Sequence, residues 1–347
     1  MKKALLFAVI AAIVYVPLFP PRMEGELTVS RAWAFDPTDQ PTVRTDASSS
    51  IPYRTAATLG YASYDGQNLY SEAILHDATL GTAGFVNYTS LGSDLVVQRP
   101  DGRVDAGLST RGYPEIVDER LFVFATNRSR IEEWTFDGEP IWSRDYSALI
   151  TAFDARGAYL IVGLLDGRFQ VVGEKGDVLY GARLSDSRVA VIYGCTVSED
   201  GRMFAIVHGL DPQGLSVYQR TDEGYRLTTS YSMEVEFRRN RLLVIAPDEN
   251  TVFVEGVNRI WAFRTQKAGA ISIPIPGELV DSGVVGEMMW FATTGEKGVA
   301  SIAVTSLSGV VYMHDVFHSN VYAGRTFERS VVMGTDSIVG RIDLGVK

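Results

Sequence analysis

The sequence has a single cysteine, Cys195, and four histidines in 347 residues. One thiol cannot close an intramolecular disulfide, and it excludes every zinc site built from two or more thiolates. Positive charge is also scarce: Lys+Arg 32 against Asp+Glu 42 leaves a net charge of −10. That balance argues against a chain that neutralises nucleic-acid phosphates over a broad basic face, so no nucleic-acid partner is expected. From about Ile51 onward a long helical period is missing as well. What the chain does have is 46% hydrophobic and 21% charged residues, enough to bury a large core by packing alone.

The longest apolar run stands at the start. Residues 1–19, MKKALLFAVIAAIVYVPLF, place two lysines before a run from Ala4 to Phe19 broken only by Pro17. This is the pattern of an export signal, with the lysines left on the cytoplasmic side and everything after Pro20-Pro21 emerging outside the membrane. The one Ala-x-Ala cleavage candidate, Ala32-Trp33-Ala34, lies well beyond the run. An uncleaved anchor helix is therefore expected over 1–21, although the run is shorter than the roughly 17 to 25 residues of an ordinary spanning helix, which leaves cleavage and secretion as the alternative. No cysteine follows the run, which excludes a lipoprotein. Residues 22–50, rich in Pro, Thr, Asp and Ser, read as a tether.

Residues 51–347 read as all-β. Apolar runs separated by Gly, Asp and Asn recur as strand, polar glycine turn, strand, as in IEEWTFDGEPIW, FQVVGEKGDVLY and IAVTSLSGVVYM. The turn glycines are Gly102, Gly138, Gly176, Gly224, Gly269, Gly309 and Gly345. Their mean spacing of about 40 residues is the size of one four-stranded propeller blade. Seven hairpins point to a seven-bladed β-propeller, with six or eight blades left open because residues 61–88 are hard to parse. The chain ends just after the last turn, so the final blade needs a strand from elsewhere. The N-terminal segment IPYRTAATLGYASY is the expected donor, pairing with SIVGRIDL.

The hairpin from Trp134 to Trp142, WTFDGEPIW, resembles the quinoprotein-like (PQQ-like) propeller repeat, in which an apolar strand, an Asp, a Gly turn and a later Trp recur in each blade. KGDVLY at 175–180 is a weaker copy with Tyr in place of Trp. As architecture the chain is similar to exported scaffold propellers typified by the β-barrel assembly lipoprotein, and to WD40-like proteins, whose Trp-Asp and Gly-His signatures it lacks. The resemblance implies an envelope scaffold. Quinone chemistry would need a calcium-bound cofactor against a tryptophan, and the sequence has neither an Asp-x-Asp-x-Asp cluster nor a cysteine pair, so no cofactor and no metal are expected.

Other constellations have plainer readings. His314 and His318 are four apart, but on a strand that spacing separates them by over about 13 Å, too far for one ion. Cys195, in VIYGCTVSEDG, has no histidine near it in sequence to activate it and reads as a buried thiol. Asn87-Tyr88-Thr89 and Asn127-Arg128-Ser129 fit a glycosylation pattern that matters only in a eukaryotic secretory route. Trp134, Trp142, Trp261 and Trp290 suit the wedges between blades.

If the glycine turns join strands C and D of each blade, the B-to-C and D-to-A connections meet on the opposite face. That face gathers Arg111, Arg128, Arg130, Asp166, Arg188, His208, Asp211, Asn258 and Arg259, and its five arginines suit an acidic partner surface. The sequence thus leads to a membrane-tethered extracytoplasmic, periplasmic propeller that serves as a protein-binding scaffold, not an enzyme. The alternative is an exported hydrolase or dehydrogenase with a metal or cofactor in the channel. The partner and the oligomeric state are not legible.

Overall fold

The computed structural model describes residues 27–39, 50–184, 187–233, 239–267 and 269–346. They form eight antiparallel sheets arranged as the blades of a ring. In chain order the blades cover residues 51–73, 77–108, 113–145, 150–183, 189–233, 243–274 and 278–318, with an eighth made of residues 321–346 and the strand Leu27–Phe35. The first blade has three strands among the described residues and every other blade has four. Strands are lettered A to D from the channel outward.

The burial pattern explains why the sequence shows apolar runs more than alternation. B strands are sandwiched between neighbouring blades, so Tyr159–Leu164, Thr251–Gly256 and Met288–Thr294 are buried on both faces almost throughout. The outer D strands Pro140–Asp145 and Val178–Arg183 are exposed along most of their length. Packing follows the same geometry. Eight apolar clusters each span two adjacent blades, from Phe169, Phe204 and Tyr218 between the fourth and fifth to Ile51, Tyr53 and Val339 between the eighth and first. The core is thus a ring of interfaces, and each tryptophan of the four named above lies in one or packs against it.

The expected seven blades are corrected to eight. Five of the turn glycines, Gly102, Gly138, Gly176, Gly269 and Gly309, do sit between strands C and D, and Gly224 opens strand D of its hairpin opposite Thr221. The blade that was missed holds a further such turn, Ser63-Tyr64-Asp65-Gly66-Gln67, between Thr58–Ala62 and Asn68–Ala73. Gly345 is not in a turn: it lies inside the strand Val339–Val346, opposite Thr28. Ring closure also differs from expectation. Ile51–Arg54 pairs with Thr58–Ala62 in its own blade, and the donated strand is Leu27–Phe35, from the stretch read as a tether. It runs antiparallel to the last strand, from Leu27 opposite Val346 to Phe35 opposite Val339. Trp33 then donates its indole N–H to the Tyr64 carbonyl at 2.8 Å, and Phe35 packs edge-on against Tyr53.

The expected anchor helix over 1–21 lies outside the described residues. Among those described there is no α-helix, only a 3-10 turn at Glu296–Gly298, and no helix long and apolar enough to cross a membrane.

Gly138 has a φ of 83°, and a Cβ built on it would stand 2.7 Å from the Ala106 Cβ of the preceding blade. A branched side chain meets both a disfavoured backbone region and a neighbour that cannot retreat. Gly138→Val should cost about 2 kcal/mol or more, read as a fall in the midpoint of chemical unfolding; an unchanged midpoint would refute this turn geometry.

Candidate functional site

A channel of about 800 Å³ runs through the ring, lined mainly by the A strands. Three polar side chains on these strands clasp neighbouring blades. Thr79 Oγ1 accepts from the Ile116 amide at 2.7 Å, Asp154 accepts from the Thr196 hydroxyl at 2.9 Å and the Val197 amide at 3.1 Å, and Asp281 accepts from the Gly324 amide at 3.0 Å. A ring of twisted sheets leaves inner backbone donors facing the next blade, and a short acceptor at this height satisfies them. Arginines offset the buried charge: Arg156 stands 3.6 Å from Asp154, Arg325 3.6 Å from Asp281, and Arg128 3.4 Å from Glu115. Burial pushes the carboxyls of Glu115, Asp154 and Asp281 above their ordinary range.

A raised folded-state pKa means that the charge penalty of these carboxylates is fully present above that pKa and is relieved as pH falls through it. Asp154→Ala should cost about 2 kcal/mol, because two buried donors lose their acceptor. Asp154→Asn keeps an acceptor and carries no charge. It should lose less, and its melting temperature should gain less than the wild type's as pH is lowered from 7 toward the carboxylate range; parallel pH profiles would contradict this assignment.

The nine residues proposed from sequence all stand at the end of the ring formed by the B-to-C and D-to-A connections. They are not, however, five free cations. Arg111 pairs with Asp94 at 2.8 Å, Arg130 with Glu132 at 2.9 Å and Arg188 with Asp211 at 3.0 Å. Asp166 pairs with Arg168 at 3.3 Å, and Asn258 accepts from the Gly277 amide at 3.1 Å. Arg128 reaches inward, its guanidinium over the rings of Tyr113 and Phe124, so it belongs to the channel wall. His208 is buried and shares a hydrogen bond of 2.9 Å with Ser216, so its ring is not presented on the loop face. Arg259 stacks over Trp261 and has no carboxylate within ion-pair distance among the described residues. Acids and bases on adjacent loops find each other, a pairing that loop-by-loop reading of a sequence does not reveal.

The two ends of the ring differ in charge. Among the described residues between consecutive strands, the A-to-B and C-to-D turns carry sixteen acidic and six basic side chains. The described B-to-C and D-to-A connections carry seven and six, with Asp36 and Asp39 after the closing strand included. Four turns present adjacent acid pairs: Asp118-Glu119, Glu199-Asp200, Asp222-Glu223 and Asp248-Glu249. Among the described loop residues the negative charge is thus gathered at one end.

The remaining constellations are isolated. Cys195 is buried, and burial raises its thiol pKa well above the ordinary value. His314 and His318 lie on the exposed outer strand Val311–His318, opposite Ala303 and Val299. Among the described residues no group of three or more His, Cys, Asp or Glu is placed to hold a metal. The channel carboxylates, with Arg156 and Arg325, were missed in the sequence, which named only Arg128 and assigned it to the outer face, although an acid inside an apolar strand, as in TAFDAR and LVDSG, was the available signal.

An uncharacterized protein of Treponema pallidum (strain Nichols) is 22% identical over 294 residues, covering 84% of this chain and 78% of that protein. Among solved structures, BamB from Moraxella catarrhalis superposes with a TM-score of 0.61 at 13% identity, over 91% of this chain and 98% of its own. The computationally designed Ika8 protein gives 0.61 at 13% identity, over 87% and 98%, and the Dos1 propeller 0.59 at 11%, over 91% and 95%. At these identities the solved structures share the fold alone. A family model described as beta-propeller protein matches residues 1–345. Joined to a ring of eight blades closed by its own N-terminal strand, that match places the chain in the beta-propeller protein family.

Proposed function

We propose that this propeller is an extracytoplasmic, periplasmic binding platform in an envelope assembly, held at the cytoplasmic membrane by its N-terminal segment. The observation that carries the reading is the polarity of the ring, whose acidic end and nearly neutral end present different surfaces from one rigid body. Closure adds an orientation. Leu27 lies opposite Val346, at the acidic end, so the chain that precedes it leaves from there. If the apolar run ends near residue 21, five residues reach at most about 17 Å, and the acidic end faces the membrane. The loops that carry Arg111 and Arg188 then point away from it, toward partners.

Cross-linking and co-purification in detergent from the native envelope tests this. A defined set of envelope proteins should be recovered with the membrane fraction, and capture should fall several-fold in Arg111→Glu/Arg188→Glu. Both arginines are exposed, at 63% and 77%, so the fold should be unaffected. The control is Glu199→Arg/Asp222→Arg at the acidic end. Equal losses from both variants, or no specific capture, would overturn the platform reading. A stoichiometric metal or cofactor in the purified protein would instead favour an exported enzyme.

A further inference from the structure

The outer strand of the third blade and the two outer strands of the fourth enclose a cleft of about 690 Å³. Trp142 and Arg144 alternate along Pro140–Asp145 and Tyr146 follows its end, so the three side chains face the fourth blade. Across from them stand Gln170 in strand C and Gly181 in strand D, direct partners in the ladder that share the facing side. The cleft is shut at one end. Trp142 lies on Gly176, where a Cβ would stand 2.7 Å from the indole, and the Arg144 guanidinium donates to the Gly176 carbonyl. Over Gly181 it is open: the three atoms nearest to a Cβ built there, at 3.3 to 4.0 Å, all belong to the fourth blade itself.

Four polar atoms on these walls are buried and have no hydrogen-bond partner among the described residues: Trp142 Nε1, Arg144 Nε, Tyr146 Oη and Gln170 Oε1. Buried polar groups are paired as a rule, because an unmet one carries its full desolvation penalty. Burial also pushes the Tyr146 phenol above its ordinary range, which keeps it a donor. The second blade supplies a comparison. Its C-to-D ladder pairs Val96 with Gly107 two positions before the bulge, as Gln170 pairs with Gly181, over a groove of about 730 Å³. No unpartnered buried polar atom among the described residues lines that groove. The shape and the glycine floor therefore recur, while the unmet donors and acceptor belong to the fourth blade's cleft.

We propose that this cleft binds a saccharide, a compact ring whose hydroxyls accept from Arg144 and Tyr146 and donate to Gln170. A hydroxyl is donor and acceptor at once, so one kind of group meets all three. An anion has no proton to give Gln170 Oε1 and would stand beside Asp145, which lines the cleft. A peptide brings its donors and acceptors at the spacing of an extended strand and needs a groove open at both ends, whereas Trp142 shuts this one. The volume falls within the roughly 300 to 1,000 Å³ of small-molecule sites. The inference goes beyond the platform reading and does not depend on it.

Saturation-transfer NMR on the full chain tests this with methyl β-glucoside, cellobiose and diacetylchitobiose, beside citrate and N-acetyl-triglycine amide. At least one of the saccharides should give a saturable signal, and neither citrate nor the peptide should. Tyr146→Phe/Gln170→Met should weaken that binding about tenfold, since two hydrogen bonds are lost. The same variant should unfold in urea no earlier than the wild type, because each change removes an unmet buried polar group. Gly181 lies in a strand without a positive φ, so Gly181→Leu fills the open space at little backbone cost and should abolish binding. Gly107→Leu, at the matching place in the second blade, is the control and should leave binding unchanged. No saccharide signal, a signal that survives Gly181→Leu, binding of citrate or the peptide instead, or earlier unfolding of Tyr146→Phe/Gln170→Met would each overturn the proposal.

Discussion

A chain that begins at Asp36 should lose cooperative unfolding and aggregate, whereas one that begins at Leu27 should melt like the full-length protein. The strand Leu27–Phe35 is the fourth strand of the eighth blade, and its removal strips the outer ladder from Val339–Val346. It also takes Trp33 off Gly66 and Phe35 off Tyr53, opening the interface between the eighth and first blades. The edge of Val339–Val346 is then left unpaired where the ring had closed. The expected loss is several kcal/mol, a fall of about 10 °C or more in melting temperature with a broadened transition. Scanning calorimetry of the two truncations decides it, and equal melting curves would mean that the ring does not depend on this strand.

The second large effect is expected at Trp290. Its side chain is 1% exposed between the seventh and eighth blades, with the indole N–H donating to Thr326 Oγ1 at 2.8 Å. Gly283 and Gly324 on either side leave room for the ring and for nothing larger: a Cβ on Gly324 would stand 2.3 Å from it. Trp290→Ala removes the largest fully buried side chain and leaves a void that glycine-flanked strands cannot fill without shifting. Large-to-small changes of this kind cost about 3 to 5 kcal/mol. Trp290→Phe should recover much of it and leave Thr326 without its donor. Urea unfolding of both variants measures the difference, and a loss under about 1 kcal/mol for Trp290→Ala would contradict this packing.

The sequence by itself determined the all-β class, the repeat length and the role of five turn glycines. Those properties are local: a positive φ at a turn glycine and an apolar run of five residues are fixed by chain geometry at the site. Blade number, the closing strand and the state of the proposed face were decided by tertiary structure. The first blade escaped because its Asp65-Gly66 turn falls at the start of residues 61–88, the stretch that could not be parsed into hairpins. The closing strand escaped because LTVSRAWAF is mostly exposed and alternates weakly, so only its partner at the far end of the chain makes it a strand. The nine loop residues were placed at one end by the order of the strands, but what each of them does depends on neighbours from other loops. Asp94 neutralises Arg111 from 17 residues away, Asp211 neutralises Arg188 across a blade, and His208 turns inward to Ser216. Pairing of charges and burial of a side chain are properties of three-dimensional proximity, which the order of residues along a strand does not contain.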